Sequence, residues 1–428
     1  MKNYHCIFQI LLVTIGLGVY FPILSNQFQL GWDDGWMLMN HYTREGFTWN
    51  NLRAMFTETW YGQYSPVNQL LYTLIACLFG FSPVAYHTYS LLLHLANACL
   101  VYFLIYRILK YTNRADEKTA CIVSFFAGML FCIHPLQIES VAWISASKVV
   151  LYSFFTLLAF LAYLKYVCTE KTGYYILTLA FFIFAFGSKE QSVVLPVSLI
   201  LLDWVMKRNL KDADLWIEKL PFFLFAVFFG LFTLTMQSPE LVQNWAGYTL
   251  MQRLVLACYA VVEYVVKLAF PVKLLYIYPF PMLPGEALPL RMLIYPVIVL
   301  VAGIGLFLYR KNQLLIFGVL FFLLNIALTL HIAPMSRVNI VADRYVYLPS
   351  VGLFFVGVWY AFSYMQTIIK KRLPWLYTLA VCYLLYFGVY AHQRTKVWYD
   401  SETLKTEMQE LIEHNINAQE EMKNGGKK

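Results

Sequence analysis

The fold class this chain predicts is an all-α polytopic membrane protein. Hydrophobic residues make up 60% of it and charged residues only 13%, and its mean hydropathy is +0.59. Apolar runs suited to a roughly 30 Å hydrocarbon core fill most of the first 391 residues. Soluble domains carry about 25% charged residues, so composition alone sets this chain apart from them. Length would allow two or three soluble domains, yet one membrane unit, residues 1–391, with a short polar tail, 392–428, accounts for the pattern.

The first apolar run, Cys6 to Leu24, follows Lys2 and shows no small-residue cleavage pattern before Pro22, which predicts a retained helix rather than a removed signal peptide. Further spans are expected at Val84 to Tyr106, Thr119 to Ile133, Val149 to Val167, Tyr174 to Gly187, Ser192 to Met206 and Leu220 to Met236. Four more follow at Met292 to Tyr309, Leu314 to Leu330, Tyr345 to Tyr364 and Pro374 to Tyr390, about eleven transmembrane helices in all. An odd number places the termini on opposite sides. With the N-terminus cytoplasmic, every compact basic cluster falls inside: Arg107 to Lys118, Lys165 with Lys171, Lys207 to Lys219, Arg310-Lys311, and Lys370-Lys371-Arg372.

That arrangement requires two apolar segments not to cross. Pro66 to Phe79 is short enough for a re-entrant or interfacial helix, and Thr249 to Phe270 carries Arg253, Glu263 and Lys267, which places it at the outer interface. In the tail, Ser401 to Glu420 predicts one charged helix with Ser401 as its cap, and the closing Asn-Gly-Gly-Lys-Lys is expected to be disordered. The net charge of +8 is scattered between spans, so nucleic acid is not an expected partner. The eight cysteines show no CxxC or metal-ligand spacing, so neither a disulfide framework nor a zinc site is implied.

The outer face then holds Asn26 to Ser65, His134 to Ser147, Ser188-Lys189-Glu190, residues 237–290 and Ile332 to Arg344. Trp32-Asp33-Asp34 opens the first of these. Adjacent side chains diverge in a helix or strand, so one Asp faces a site as a general base, or the pair is a solvated cap of the following helix. His134-Pro135 ends the third span, with Glu139 at the depth of the Asp pair. Glu139 either faces the same site or pairs with Lys148, and metal-ligand spacing around His134 is poor. Lys189 and Glu190 satisfy each other in a tight turn, or contribute to the site. Arg344 binds a lipid phosphate or pairs with Asp343 as an interfacial anchor.

These residues, taken in order, resemble the transmembrane and tetratricopeptide-repeat-containing O-mannosyltransferases and their bacterial relatives, within the GT-C class of glycosyltransferases. The resemblance rests on Trp32-Asp33-Asp34, Tyr64-Ser65-Pro66, Phe79-Gly80-Phe81, Tyr86-His87 and His94-Leu95-Ala96-Asn97-Ala98. It continues through His134-Pro135, Glu139 to Ser145, Ser188-Lys189-Glu190, Leu195-Pro196 and Ala342 to Gly352, and covers nearly all of residues 1–400.

It implies a GT-C fold that moves a sugar, typically mannose, from a polyprenyl or dolichyl phosphate carrier to a hydroxyl of a protein or glycan on the non-cytoplasmic side. Asp33 or Asp34 becomes the base, Asp33 preferred because it follows Trp32. Glu139, with His134, is an accessory group that positions donor or acceptor. Arg344, Lys148 and Lys189 bind the lipid phosphate, and Trp32, Tyr345 and Tyr347 contact sugar or lipid. The leaving phosphate is already anionic, so no metal or other cofactor is required.

Two departures stand out. One helix-sized segment replaces the repeat array, which points to a bacterial inner membrane; a eukaryotic source would imply the endoplasmic reticulum membrane. Ser147-Lys148-Val149 stands where the family pattern tends to Arg-Lys-Asp, so an acid is missing. The competing readings are a transporter or flippase of lipid-linked sugars and a non-catalytic membrane scaffold.

Overall fold

The computed structural model describes residues 2–235, 247–332, 339–368 and 373–410. The basic run Lys370-Lys371-Arg372, residues 237–246 and the tail beyond residue 410 lie outside the described residues. Among those described there is no strand, only isolated bridges at Trp60 with Gln63 and Tyr278 with Val341.

The first helix, Lys2–Tyr20, runs on as a 3-10 turn over Phe21–Ser25, where Pro22 removes an amide donor. The long helix Pro83–Tyr111 starts on a proline, a residue that suits the first helical turn. Beside it lies Glu117–Ile133, whose N-terminus is capped by Asp116 accepting from the Thr119 amide at 3.2 Å. Pro135 ends that helix, and the chain bends by 54° into Pro135–Ala142.

Among the described residues, five helices are long and apolar enough to cross a membrane, or six if the bent pair counts as one span. The expected spans differ in how fully they form. Thr172–Ser188 and Gln313–Ile326 are apolar but only 17 and 14 residues long. The expected span Ser192 to Met206 is an 11-residue helix, Leu195–Val205, behind a 3-10 turn at Glu190–Val194. The expected span from Tyr345 begins at Ser350, because Pro349 disfavours helical geometry at the residue before it. The last helix, Leu373–Val397, extends past residue 391.

Pro66–Phe79 forms a single short helix. Leu250–Ala269 begins with a capping box between Thr249 and Gln252. Its charges are met locally: Arg253 reaches the Ile332 carbonyl at 3.4 Å, and Lys267 pairs with Glu263 at 3.9 Å.

The two ends of the bundle differ in chemistry. At one, buried Lys219 pairs with Asp203 at 2.9 Å and Glu218 at 2.5 Å, and Arg208 holds the same two acids at 2.9 and 2.8 Å. Burial of such charges is tolerated because each has an opposite partner. The other end gathers the loops that carry the candidate site.

Close helix packing depends on small residues. Gly318 and Gly352 face each other so tightly that a Cβ on Gly352 would collide with the Gly318 carbonyl oxygen. Gly352→Ala is therefore expected to force these helices apart and cost about 1–3 kcal/mol, read as a lower Tm in detergent. An unchanged Tm would show that the crossing relaxes freely.

Candidate functional site

Asp33 and Asp34 part at the start of the short helix Asp34–Leu38. Asp34 is buried, and its carboxylate accepts from the Gln29 amide at 2.7 Å, the Ser145 amide at 2.9 Å and the Ser145 hydroxyl. Burial pushes its carboxyl above the ordinary Asp value, against the pull of these donors. Asp34 thus ties the first loop to the segment after Pro135. Asp33 stays half-buried and takes one bond, from the Trp36 indole N–H at 3.2 Å. Asp34→Asn should strand a donor at the clamp and cost about 1–3 kcal/mol, measurable as a Tm loss that Asp33→Asn does not share.

The same loop is fastened to the C-terminal segment. Asn26 donates to the Thr395 carbonyl at 3.0 Å, Gln29 to that of Trp398 at 2.9 Å, and the Gln27 amide to that of Tyr399 at 2.7 Å. Ser401, expected to cap the tail helix, instead accepts from the Gly31 amide at 3.0 Å. Asp400 takes over as the cap, accepting from the Thr403 amide at 2.8 Å.

Glu139 pairs with Arg344 rather than Lys148. Its carboxylate, almost wholly buried, accepts from the Arg344 backbone amide at 2.9 Å and from its guanidinium. The Arg344 guanidinium lies 5.0 Å from the Tyr345 ring centroid and 5.2 Å from that of Trp143, within cation–π range. Asp343 turns the other way and accepts from the Tyr278 hydroxyl at 2.8 Å. Burial and the nearby Glu139 charge hold the Asp343 carboxyl well above the usual range.

Lys148 donates to the Gln63 side chain at 2.5 Å and lies within electrostatic reach of Asp33, Lys189, Glu190 and Arg344. Asp33 also acts on Arg344. The structure therefore brings Asp33, Lys148, Lys189, Glu139 and Arg344 to one end of the bundle. Lys189 and Glu190 approach each other at 3.8 Å.

Two other expected site residues are committed elsewhere. His134 uses both ring nitrogens, one toward the Leu268 carbonyl at 3.0 Å and one accepting from the Leu136 amide at 3.2 Å. Tyr347 is buried, bonded to His94 at 2.8 Å and Asn97 at 3.1 Å. Both side chains thus bridge separate segments of the chain. Near the opposite end, His5, Glu117 and Cys121 approach metal-ligand spacing, but the Glu117 carboxylate is already met by Tyr106 at 2.6 Å and Lys110 at 3.0 Å.

Trp32 packs edge-on against Tyr276 at 4.9 Å, and the contacts continue from Tyr276 to Trp398 at 6.4 Å and from Trp398 to Trp143 at 5.8 Å. The three indole N–H groups and the Tyr276 hydroxyl are buried with no hydrogen-bond partner among the described residues. Buried polar atoms are nearly always satisfied, so a ligand rich in hydroxyls or bound water suits this aromatic row. Gln63, Tyr276 and Trp398 carried no signal as site residues in the sequence, and Ser145 entered only as the end of a motif. Their roles arise from contacts between segments distant along the chain.

No family model matches the chain. Among curated proteins, Protein O-mannosyl-transferase TMTC4 of Homo sapiens is 32% identical over 114 residues, 26% of this chain and 15% of that protein. Protein O-mannosyl-transferase Tmtc3 of Drosophila melanogaster is 26% identical over 226 residues, 47% of this chain and 23% of that protein. Protein O-mannosyl-transferase TMTC1 of Homo sapiens is 30% identical over 140 residues, 31% of this chain and 15% of that protein. The matches span less than a quarter of the length of each of these relatives. By sequence, the chain is thus similar to protein O-mannosyl-transferases over part of its length.

Proposed function

We propose that this chain is a membrane glycosyltransferase of GT-C type that moves mannose from a polyprenyl or dolichyl phosphate carrier to a protein hydroxyl on the non-cytoplasmic side. The observation that carries this reading is that Lys148 reaches Met37, on the short helix that Asp33 opens, at 3.9 Å, while Arg344 is held by Glu139 at the same end of the bundle and Asp33 is the more accessible of the two adjacent acids. A carboxylate gathered with a guanidinium and an amine suits a reaction in which a hydroxyl oxygen loses its proton as it attacks a carbon and a phosphate leaves that carbon.

Asp33 accepts the acceptor's hydroxyl proton while that oxygen attacks the anomeric carbon from the face opposite the carrier. The anomeric carbon–oxygen bond to the phosphate breaks, its electron pair leaves with the phosphate, and configuration inverts. Arg344 and Lys148, with Lys189 near, stabilise the added negative charge. Glu139 holds Arg344 in register, and Asp34 fixes the loop from which Asp33 projects. The unpartnered donors of Trp32 and Trp143 give sugar hydroxyls or the phosphate something to bond. Tyr345, beside Arg344, walls the same region. The membrane is the bacterial inner membrane or, in a eukaryote, that of the endoplasmic reticulum.

The test is transfer of radiolabelled mannose from a short-chain polyprenyl phosphate mannose to serine and threonine peptides by purified protein. Transfer abolished in Asp33→Asn supports the reading. Absence of transfer by a folded wild-type protein that binds the donor overturns the assigned acceptor and reaction.

A further inference from the structure

Of the turn Trp60-Tyr61-Gly62-Gln63, only Gln63 touches the site described above, through Lys148. Trp60 and Gln63 exchange backbone hydrogen bonds, each of 3.0 Å. They close a two-residue hairpin turn whose central residues both have positive φ, 49° at Tyr61 and 70° at Gly62. Such turns favour Asn, Asp or Gly at the first central position, and a bulky side chain there is disfavoured by contact with its own backbone. Burial does not offset that strain, because Tyr61 is 72% exposed. An aromatic residue held in a strained conformation and presented to the exterior points to a role outside the fold.

Its ring stands 5.1 Å from that of Trp36 and 5.2 Å from that of Trp60. Both indole N–H groups are already engaged, Trp36 with Asp33 at 3.2 Å and Trp60 with the Trp36 carbonyl at 2.9 Å. What these rings offer a ligand is therefore carbon surface. The turn is also tied to the cationic side of the site, through Gln63 and Lys148.

We infer that Tyr61, with Trp36, forms the acceptor subsite, and that the acceptor enters as an extended peptide with an apolar or prolyl residue two positions from the reacting hydroxyl. This rests on the transfer reaction proposed above. An extended chain advances about 3.3 Å per residue and places residues i and i+2 on one face. Trp36 touches Asp33 and Tyr61 stands one ring beyond it. The Trp36 indole joins the two, its N–H 3.2 Å from Asp33 and its ring 5.1 Å from that of Tyr61, so a peptide whose hydroxyl meets Asp33 carries a neighbouring same-face side chain toward Tyr61. Aromatic ledges take prolyl and aliphatic side chains of extended peptides through such carbon contacts.

The experiment compares serine peptides carrying Pro, Val or Asp two residues to either side of the serine. Wild type, Tyr61→Ala, Tyr61→Trp and Tyr61→Gly are assayed with the lipid donor, and peptide quenching of intrinsic tryptophan fluorescence is followed without it. On one side of the serine, wild type is expected to favour Pro and Val over Asp. Tyr61→Ala raises KM for the favoured peptides about three- to ten-fold, erases the preference and retains kcat, whereas Tyr61→Trp keeps the preference. Tyr61→Gly, which relieves the turn, raises Tm while raising KM.

Equal peptide KM in wild type and Tyr61→Ala overturns the subsite. Quenching that depends on Tyr61 without any transfer keeps the peptide subsite and removes the transfer reading. Quenching by mannose oligosaccharides but not by peptides assigns the ledge to a glycan and overturns the peptide.

Discussion

Asp33→Asn is expected to lower kcat for sugar transfer by about 10²- to 10⁴-fold, the range general-base catalysis contributes, with donor affinity and Tm close to wild type. The geometry separates this residue from its neighbour. Asp33 carries one hydrogen bond, from Trp36, and an amide oxygen at the same position can still accept it. Asp34 is locked among Gln29 and Ser145 donors, so its replacement acts first on stability. Kinetics of the two single variants beside their thermal unfolding therefore distinguish base from clamp. If Asp33→Asn turns over at the wild-type rate while Asp34→Asn folds and is dead, the roles assigned to the two acids are exchanged.

Glu139→Ala is expected to cost about 3–5 kcal/mol of stability, because it leaves the Arg344 guanidinium largely buried without its partner. It also removes the acceptor of the Arg344 backbone amide. Replacing both residues by apolar ones of similar volume, Glu139→Leu with Arg344→Met, should recover much of that stability, since the desolvation of two charges is then avoided. Transfer should stay lost in the double variant, because no guanidinium remains beside the leaving phosphate. Denaturation in detergent and donor turnover measured on the same preparations give both readouts. Recovery of activity along with stability would show that the pair serves packing alone, and would take Arg344 out of the reaction.

Much of the site was legible from residue types at the ends of apolar runs. Asp33, Glu139, Lys148, Lys189 and Arg344 each stand where a charge near a membrane boundary calls for a reason, and the structure brings all five to one end of the bundle. Their pairing was not legible. The sequence left Arg344 to choose between a phosphate and Asp343, and Glu139 between a site and Lys148. The fold joins Glu139 to Arg344, 205 residues apart. His134 and Tyr347 had the right chemistry in the right segments. Their side chains point into packing contacts with Leu268, Leu136, His94 and Asn97, a matter of local orientation that spacing does not encode.

By itself the sequence determined the class of the molecule: its apolar runs, 60% hydrophobic content and scarce charge specify a helical membrane protein through burial of apolar surface, a sum over residues that needs no long-range information. It also placed prolines 66, 83 and 135 at the element starts and the bend where their missing amides allow them. Tertiary structure decided which of two adjacent acids is the less buried, where Arg344 finds its partner, and that the segment from Thr395 to Ser401 holds the loop carrying Asp33. Those outcomes depend on hydrogen bonds across 111 to 370 positions of chain. They form only once the packed helices bring distant polar groups together where water no longer satisfies them.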